Sequence, residues 1–168
     1  GRATTDDPRA VISALVLLGH LTRYQARRLI HGSVAELRLG QYIILEPLGQ
    51  GGMGTVFKAR QRFMHRTDAV KVLNKELSRN GLAIERFYRE ARSASLLDHP
   101  SIATVYEIAE HDGSVFIVMG LIDGTTLQEK VQRSKLRVEE VLDLGLQIAE
   151  GLQAAHDKGL VHRDIKSA

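Results

Sequence analysis

Four glycines stand in the run Gly49-Gln50-Gly51-Gly52-Met53-Gly54-Thr55-Val56. A turn without side chains lets backbone N–H groups come close to phosphate oxygens. The spacing alone is weak evidence, so its context decides the meaning. In a dinucleotide-binding fold such glycines join a strand to a helix. Here the β-rich segment Thr55-Val56-Phe57-Lys58-Ala59 follows them, which makes them the tip of a hairpin. A Walker-type phosphate loop is excluded, because no Gly-Lys-Ser/Thr follows.

The second candidate is Lys71 in Asp68-Ala69-Val70-Lys71-Val72. Strand alternation puts Ala69, Lys71 and Leu73 on one face. A lysine between two apolar neighbours either sends its amine to water along a packed stem or meets a counter-charge. The third candidate, Glu90, shares a helical stripe with Phe87, Ala94 and Leu97. A carboxylate on such a stripe needs a partner, because a buried unpaired charge costs several kcal/mol or more. Lys71 on the neighbouring strand can be that partner, and so can Arg86 or Arg89 on the helix itself. The fourth candidate is His162-Arg163-Asp164-Ile165-Lys166, whose Asp164 is equally readable as a solvated loop acid.

The elements that must position these residues follow from periodicity. Residues 1–8 read as a polar loop, 10–18 as a helix, and 22–30 as a second helix capped by Thr22. Strands are expected over 41–48, 55–60 and 67–73, with the glycine turn at 49–54. A long helix is expected over 82–97, ended by Asp98-His99-Pro100. Two more strands, 105–110 and 115–119, flank His111-Asp112-Gly113, and Asp-Gly is a hairpin signal. After a connector at 121–125 come helices over 126–134 and 138–158, the latter with Gly159 as its terminal cap and no good side-chain cap at Arg137. Five strands close in sequence with one helix on them predict a meander-type antiparallel sheet, an α+β fold rather than a doubly wound one.

Composition narrows the function classes. The 168 residues hold no cysteine, which removes disulfide scaffolds, thiolate zinc sites and cysteine nucleophiles. The seven histidines lack ligand spacing, so no metal site is expected from them. The mostly apolar run of residues 11–18 is too short to span a bilayer. Six arginines against three acids in residues 1–39 account for the whole formal charge of +3. The remainder is near neutral, which argues against a nucleic-acid-coating protein. Arg23, Arg27, Arg28 and His31 on the first hairpin read as a solvated face rather than a DNA-reading one.

In this order and spacing the four sites resemble the eukaryotic-like (Hanks-type) protein kinases, including the bacterial Ser/Thr kinases. The resemblance runs from about residue 41 to residue 167. Arg89-Glu90-Ala91, Leu97-Asp98-His99-Pro100, Ile117-Val118-Met119 and Gly159-Leu160-Val161-His162-Arg163-Asp164 also match it. It implies a helical N-terminal extension over 1–39, a nucleotide-binding lobe over 40–119 with a five-stranded antiparallel sheet and one long helix, and a hinge with the start of a helical lobe over 120–168.

The resemblance further implies roles. Gly49, Gly51 and Gly54 would lid the phosphates of ATP, with Leu48, Val56 and Ala69 against the adenine. Met119 stands where the family has its gatekeeper, and Gly120 and Ile122 would offer hinge backbone to the base. Lys71, fixed by Glu90, would hold the α- and β-phosphates. Asp164 would accept the proton of a substrate hydroxyl, and Lys166 would neutralise phosphate charge in the manner of kinases that act on Ser/Thr of proteins. Arg163 resembles the arginine that pairs with a phosphorylated activation loop, and His162 is read as structural. Mg²⁺ is implied too, but the family's metal-binding Asn and Asp-Phe-Gly are expected beyond Ala168. The chain is therefore read as a front fragment that bears the ATP site and transfers no phosphate by itself. A pseudokinase or nucleotide-binding scaffold is the alternative. The helices of residues 10–31 are expected to serve as a docking or regulatory module, and the location is expected to be cytoplasmic.

Overall fold

A computed structural model describes residues 7–166. Helix α1, Pro8–Leu17, starts earlier than its periodicity predicts, because Asp7 caps it through the Arg9 N–H and Pro8 suits the first helical position. The rest of the polar loop expected at the start lies outside the described residues. Thr22 and Gln25 form a capping box at the start of α2, Arg23–Ile30. A 3₁₀ turn, Val34–Leu37, leads into a two-residue strand β1, Arg38–Leu39.

Strands β2 (Tyr42–Gln50), β3 (Gly54–Gln61) and β4 (Thr67–Leu73) follow, then helix α3 (Gly81–Ser95). The α3 cap is Asn80, whose Oδ1 accepts the N–H groups of Leu82 and Ala83. Strands β5 (Val105–His111) and β6 (Ser114–Gly120) meet at Asp112 and Gly113, both with positive φ, the backbone that a two-residue hairpin of this hand requires. Helix α4 is Leu127–Arg133 and α5 is Val138–Asp157. At Arg137 the missing side-chain cap is offset from the other direction: its N–H donates to Glu140 Oε2 at 3.1 Å. Gly159, at φ 72°, ends α5, with its own N–H on His156 O and the Leu160 N–H on Ala155 O.

The sheet order is β1-β2-β3-β4-β6-β5, antiparallel throughout. It adds β1 to the five expected strands and departs from a simple meander, since β6 separates β4 from β5. The reason lies in the side chains. Val115, Phe116, Ile117 and Val118 of β6 are all buried, so this strand needs cover on both faces, whereas β5 alternates and leaves Tyr106 and Glu110 exposed. One face packs Tyr42, Ile44, Ala59, Val70, Phe116 and Val118 together. The other packs Leu73, Val115 and Ile117 against Phe87 and Ala91 of α3. The Tyr42 hydroxyl on β2 donates to Glu107 on β5 at 2.8 Å. Burial, then that bond, pushes the phenol up to about 12. No helix among the described residues is long and apolar enough to cross a membrane.

Candidate active site

Directly opposite residues of an antiparallel ladder share a face. Lys71 pairs with Val56 on one side and Ile117 on the other, and Ala69 pairs with Met119. Val56, Ala69, Lys71 and Met119 therefore line the sheet face that carries α3. Lys71 Nζ lies 3.9 Å from Glu90 Oε2 and 5.6 Å from the centre of the Phe87 ring. Neither Arg86 nor Arg89 forms an ion pair with Glu90 among the described residues. The burial argument for the pair does not hold, however. The Glu90 side chain is 54% exposed and that of Lys71 28%. The contact is long and half solvated, worth at most about 1 kcal/mol to the fold. Its value is to aim an ammonium, not to bind the helix.

The glycine turn closes by two backbone bonds, Gly51 N–H to Gly54 O at 2.9 Å and Gly54 N–H to Gly51 O at 3.3 Å. The glycines differ in what they face. A Cβ on Gly49, Gly51 or Gly52 would meet nothing within 4 Å, whereas one on Gly54 would lie 2.0 Å from the Val72 carbonyl oxygen. Gly54 is thus needed for the approach of β3 to β4, and the other three leave open room on their Cβ side. Leu48, half exposed, is the bulged residue between Pro47 and Gly49. Asn74 also belongs to this turn, although no sequence pattern singled it out. Its N–H donates to Met53 O at 3.0 Å and its side-chain amide to Gly52 O at 3.2 Å. The one signal available is a polar residue directly after an apolar strand.

At the end of β6 the Gly120 N–H donates to Thr104 O at 2.9 Å, and Ile122 beyond it is exposed. The second cluster sits after α5. Gly159 reverses the chain, and Arg163 follows at φ 61°. The Asp164 N–H donates to His162 Nδ1 at 3.2 Å, so the imidazole shapes the loop. Lys166 Nζ donates to Asp164 Oδ2 at 2.9 Å. That bond, then the lysine charge, holds the Asp164 carboxyl below the usual carboxylate range. Asp164 therefore keeps its charge to lower pH than an ordinary aspartate. Lys166→Met is expected to raise the carboxyl toward its ordinary value, read by a carbon-13 titration of the side chain. An unchanged midpoint would remove the lysine as the cause.

The structure brings Lys71 to Glu90 and Lys166 to Asp164, with no ion pair between the two groups. No three His, Cys, Asp or Glu side chains among the described residues are grouped to hold a metal ion.

Residues 42–168 match the family model described as the protein kinase domain. The chain is 40% identical over 128 residues to the serine/threonine-protein kinase PrkC of Bacillus subtilis, covering 76% of this chain and 20% of that protein. It is 38% identical over 127 residues to the serine/threonine-protein kinase pkn2 of Myxococcus xanthus, covering 76% and 15%. The chain thus spans about a fifth or less of the length of these curated relatives. Among solved structures, the kinase domain of PknI from Mycobacterium tuberculosis superposes with a TM-score of 0.66 at 31% identity, over 78% of this chain and 54% of that one.

Proposed function

The chain belongs to the protein kinase domain family, and on that premise we propose that it supplies the ATP-binding lobe and the opening of the catalytic loop of an enzyme that phosphorylates Ser/Thr hydroxyls of proteins. One observation carries the reading: the ammonium of Lys71, partly exposed on the sheet face behind the glycine turn, is aimed by Glu90 at 3.9 Å.

The residues present suit a nucleoside triphosphate. The open space around Gly49 and Gly51 admits phosphate oxygens to the backbone. Leu48, Val56, Ala69 and Met119 would enclose the base, and the backbone of Gly120 and Ile122 would meet its edge. Lys71 would take the phosphates. ATP supplies the phosphoryl group when bound. Members of this family also use a divalent metal, but the described residues hold no cluster for one, and no step is assigned to it.

In phosphoryl transfer the protein chiefly positions groups and stabilises charge. Asp164, kept ionised by Lys166, would orient the substrate hydroxyl and accept its proton. Lys166 would move from Asp164 toward the transferring phosphoryl group and offset its charge. The pair at 2.9 Å is then the resting arrangement.

The test is competition of ATP, ADP and AMP for a fluorescent ATP analogue on the 168-residue chain. Affinity is expected to fall from ATP to AMP as phosphates are removed. No binding, or equal binding of all three, would end this reading.

A further inference from the structure

Strand β2 pairs with β1 only at Tyr42 and Ile43. Beyond Ile43 no strand among the described residues covers that side, although the strand runs on to Leu48 and Gly49. An uncovered strand edge is left with unpaired backbone groups. Helix α2 crosses at this point, and its capping box has a second use. The Thr22 hydroxyl donates to Leu45 O, and the Gln25 side-chain amide donates to Ile44 O at 2.8 Å. The same Gln25 accepts the Thr22 N–H through Oε1 at 2.9 Å, so both ends of its amide are engaged.

Leu45 lies at the register shift between Ile44 and Glu46, where β2 has one residue more than its partner. A bulge breaks the ladder and bends the strand. Two adjacent carbonyls at this bend are thus held by side chains from outside the sheet. Gln25 is only 6% exposed. The helix is also fixed laterally. Tyr24 packs its ring 6.2 Å from Phe57 on β3, and Arg28 bonds both the Tyr24 hydroxyl at 3.1 Å and Glu36 at 2.9 Å.

We propose that Thr22 and Gln25 are positioning residues for the glycine turn: by holding the Ile44 and Leu45 carbonyls at the bulge, they set where the end of β2 places Leu48 and Gly49. The N-terminal helices then act on the proposed nucleotide site through one strand without touching the nucleotide. The link to ATP rests on the function proposed above, while the link to the turn does not.

Gln25→Glu separates the two uses of this side chain. Glutamate keeps an acceptor for the Thr22 N–H, as a capping box requires, but has no donor for Ile44 O. Hydrogen exchange of the Gly51 and Gly54 amides, which bond each other's carbonyls across the turn, is the direct readout. Both are expected to exchange at least about tenfold faster in the variant, with the β4–β6 ladder unchanged and ATP affinity reduced. Thr22→Asp, which keeps an acceptor for the Gln25 N–H at the start of α2 but has no donor for Leu45 O, should give the same pattern at smaller amplitude and decides the matter if Gln25→Glu does not fold. Unchanged turn amides would overturn the proposal, and so would equal acceleration throughout the sheet, the mark of a merely stabilising contact. If the parent chain fails to bind ATP, the functional reading falls while the exchange result still stands or fails by itself.

Discussion

Phe87→Ala is expected to cost the fold about 3–5 kcal/mol, the range for emptying a buried aromatic site. Phe87 is fully buried, at 0% exposure, and joins Leu73, Val115 and Ile117 of the sheet to Ala91 of α3. Ile84 and Tyr88 of the helix pack against the same cluster from its margin, while the ion pair with the sheet is long and wet. Phe87 also stands one turn before Glu90 and lies beneath Lys71. The cavity should therefore loosen the Lys71–Glu90 geometry as well as the core. Urea unfolding followed by far-ultraviolet circular dichroism measures the first effect. A loss under about 1 kcal/mol would mean that other contacts hold α3.

Lys71→Met should do the reverse: little to stability and much to nucleotide binding. The ion pair it removes is solvent-screened, so the unfolding free energy should change by less than about 1 kcal/mol. Losing a charge-assisted bond to phosphate should cost about 1.5–3 kcal/mol, or roughly ten- to a hundredfold in ATP affinity. Competition with the fluorescent ATP analogue reads this, with adenosine, which carries no phosphate, as the control that should hardly respond. If ATP and adenosine weaken together, Lys71 is not a phosphate ligand. If neither weakens, the assignment of the whole cleft face is wrong.

Much of this arrangement was legible in the chain because it depends on near neighbours. The Asp112-Gly113 turn, the Thr22 cap and the Gly159 terminus are each decided by a few adjacent residues. Alternation alone was enough to align Ala69, Lys71 and Leu73. What stayed hidden depends on distant pairing or on depth. Nothing local tells β4 to pair with β6 rather than β5; the fully apolar run of β6 is the clue, and it has meaning only once a sheet exists. A helical stripe gives the side on which Glu90 lies, but not how far the sheet covers it. Asn74 could not be found because its partners lie 21 and 22 residues earlier, at Met53 and Gly52. The grip of α2 on β2 was equally invisible, since amphipathicity in an eight-residue helix does not say which surface it meets.

The two margins of the sheet are finished differently. On the β2 side, side chains of Thr22 and Gln25 occupy the Leu45 and Ile44 carbonyls. On the other margin β5 has no strand neighbour among the described residues. Self-templated stacking into aggregates can begin along that edge, and there the exposed charge of Glu110 opposes it. Should the N-terminal hairpin detach, the Ile44 and Leu45 carbonyls are freed as well, so a change at the bulge and a longer open edge beside the glycines would arise from the same event.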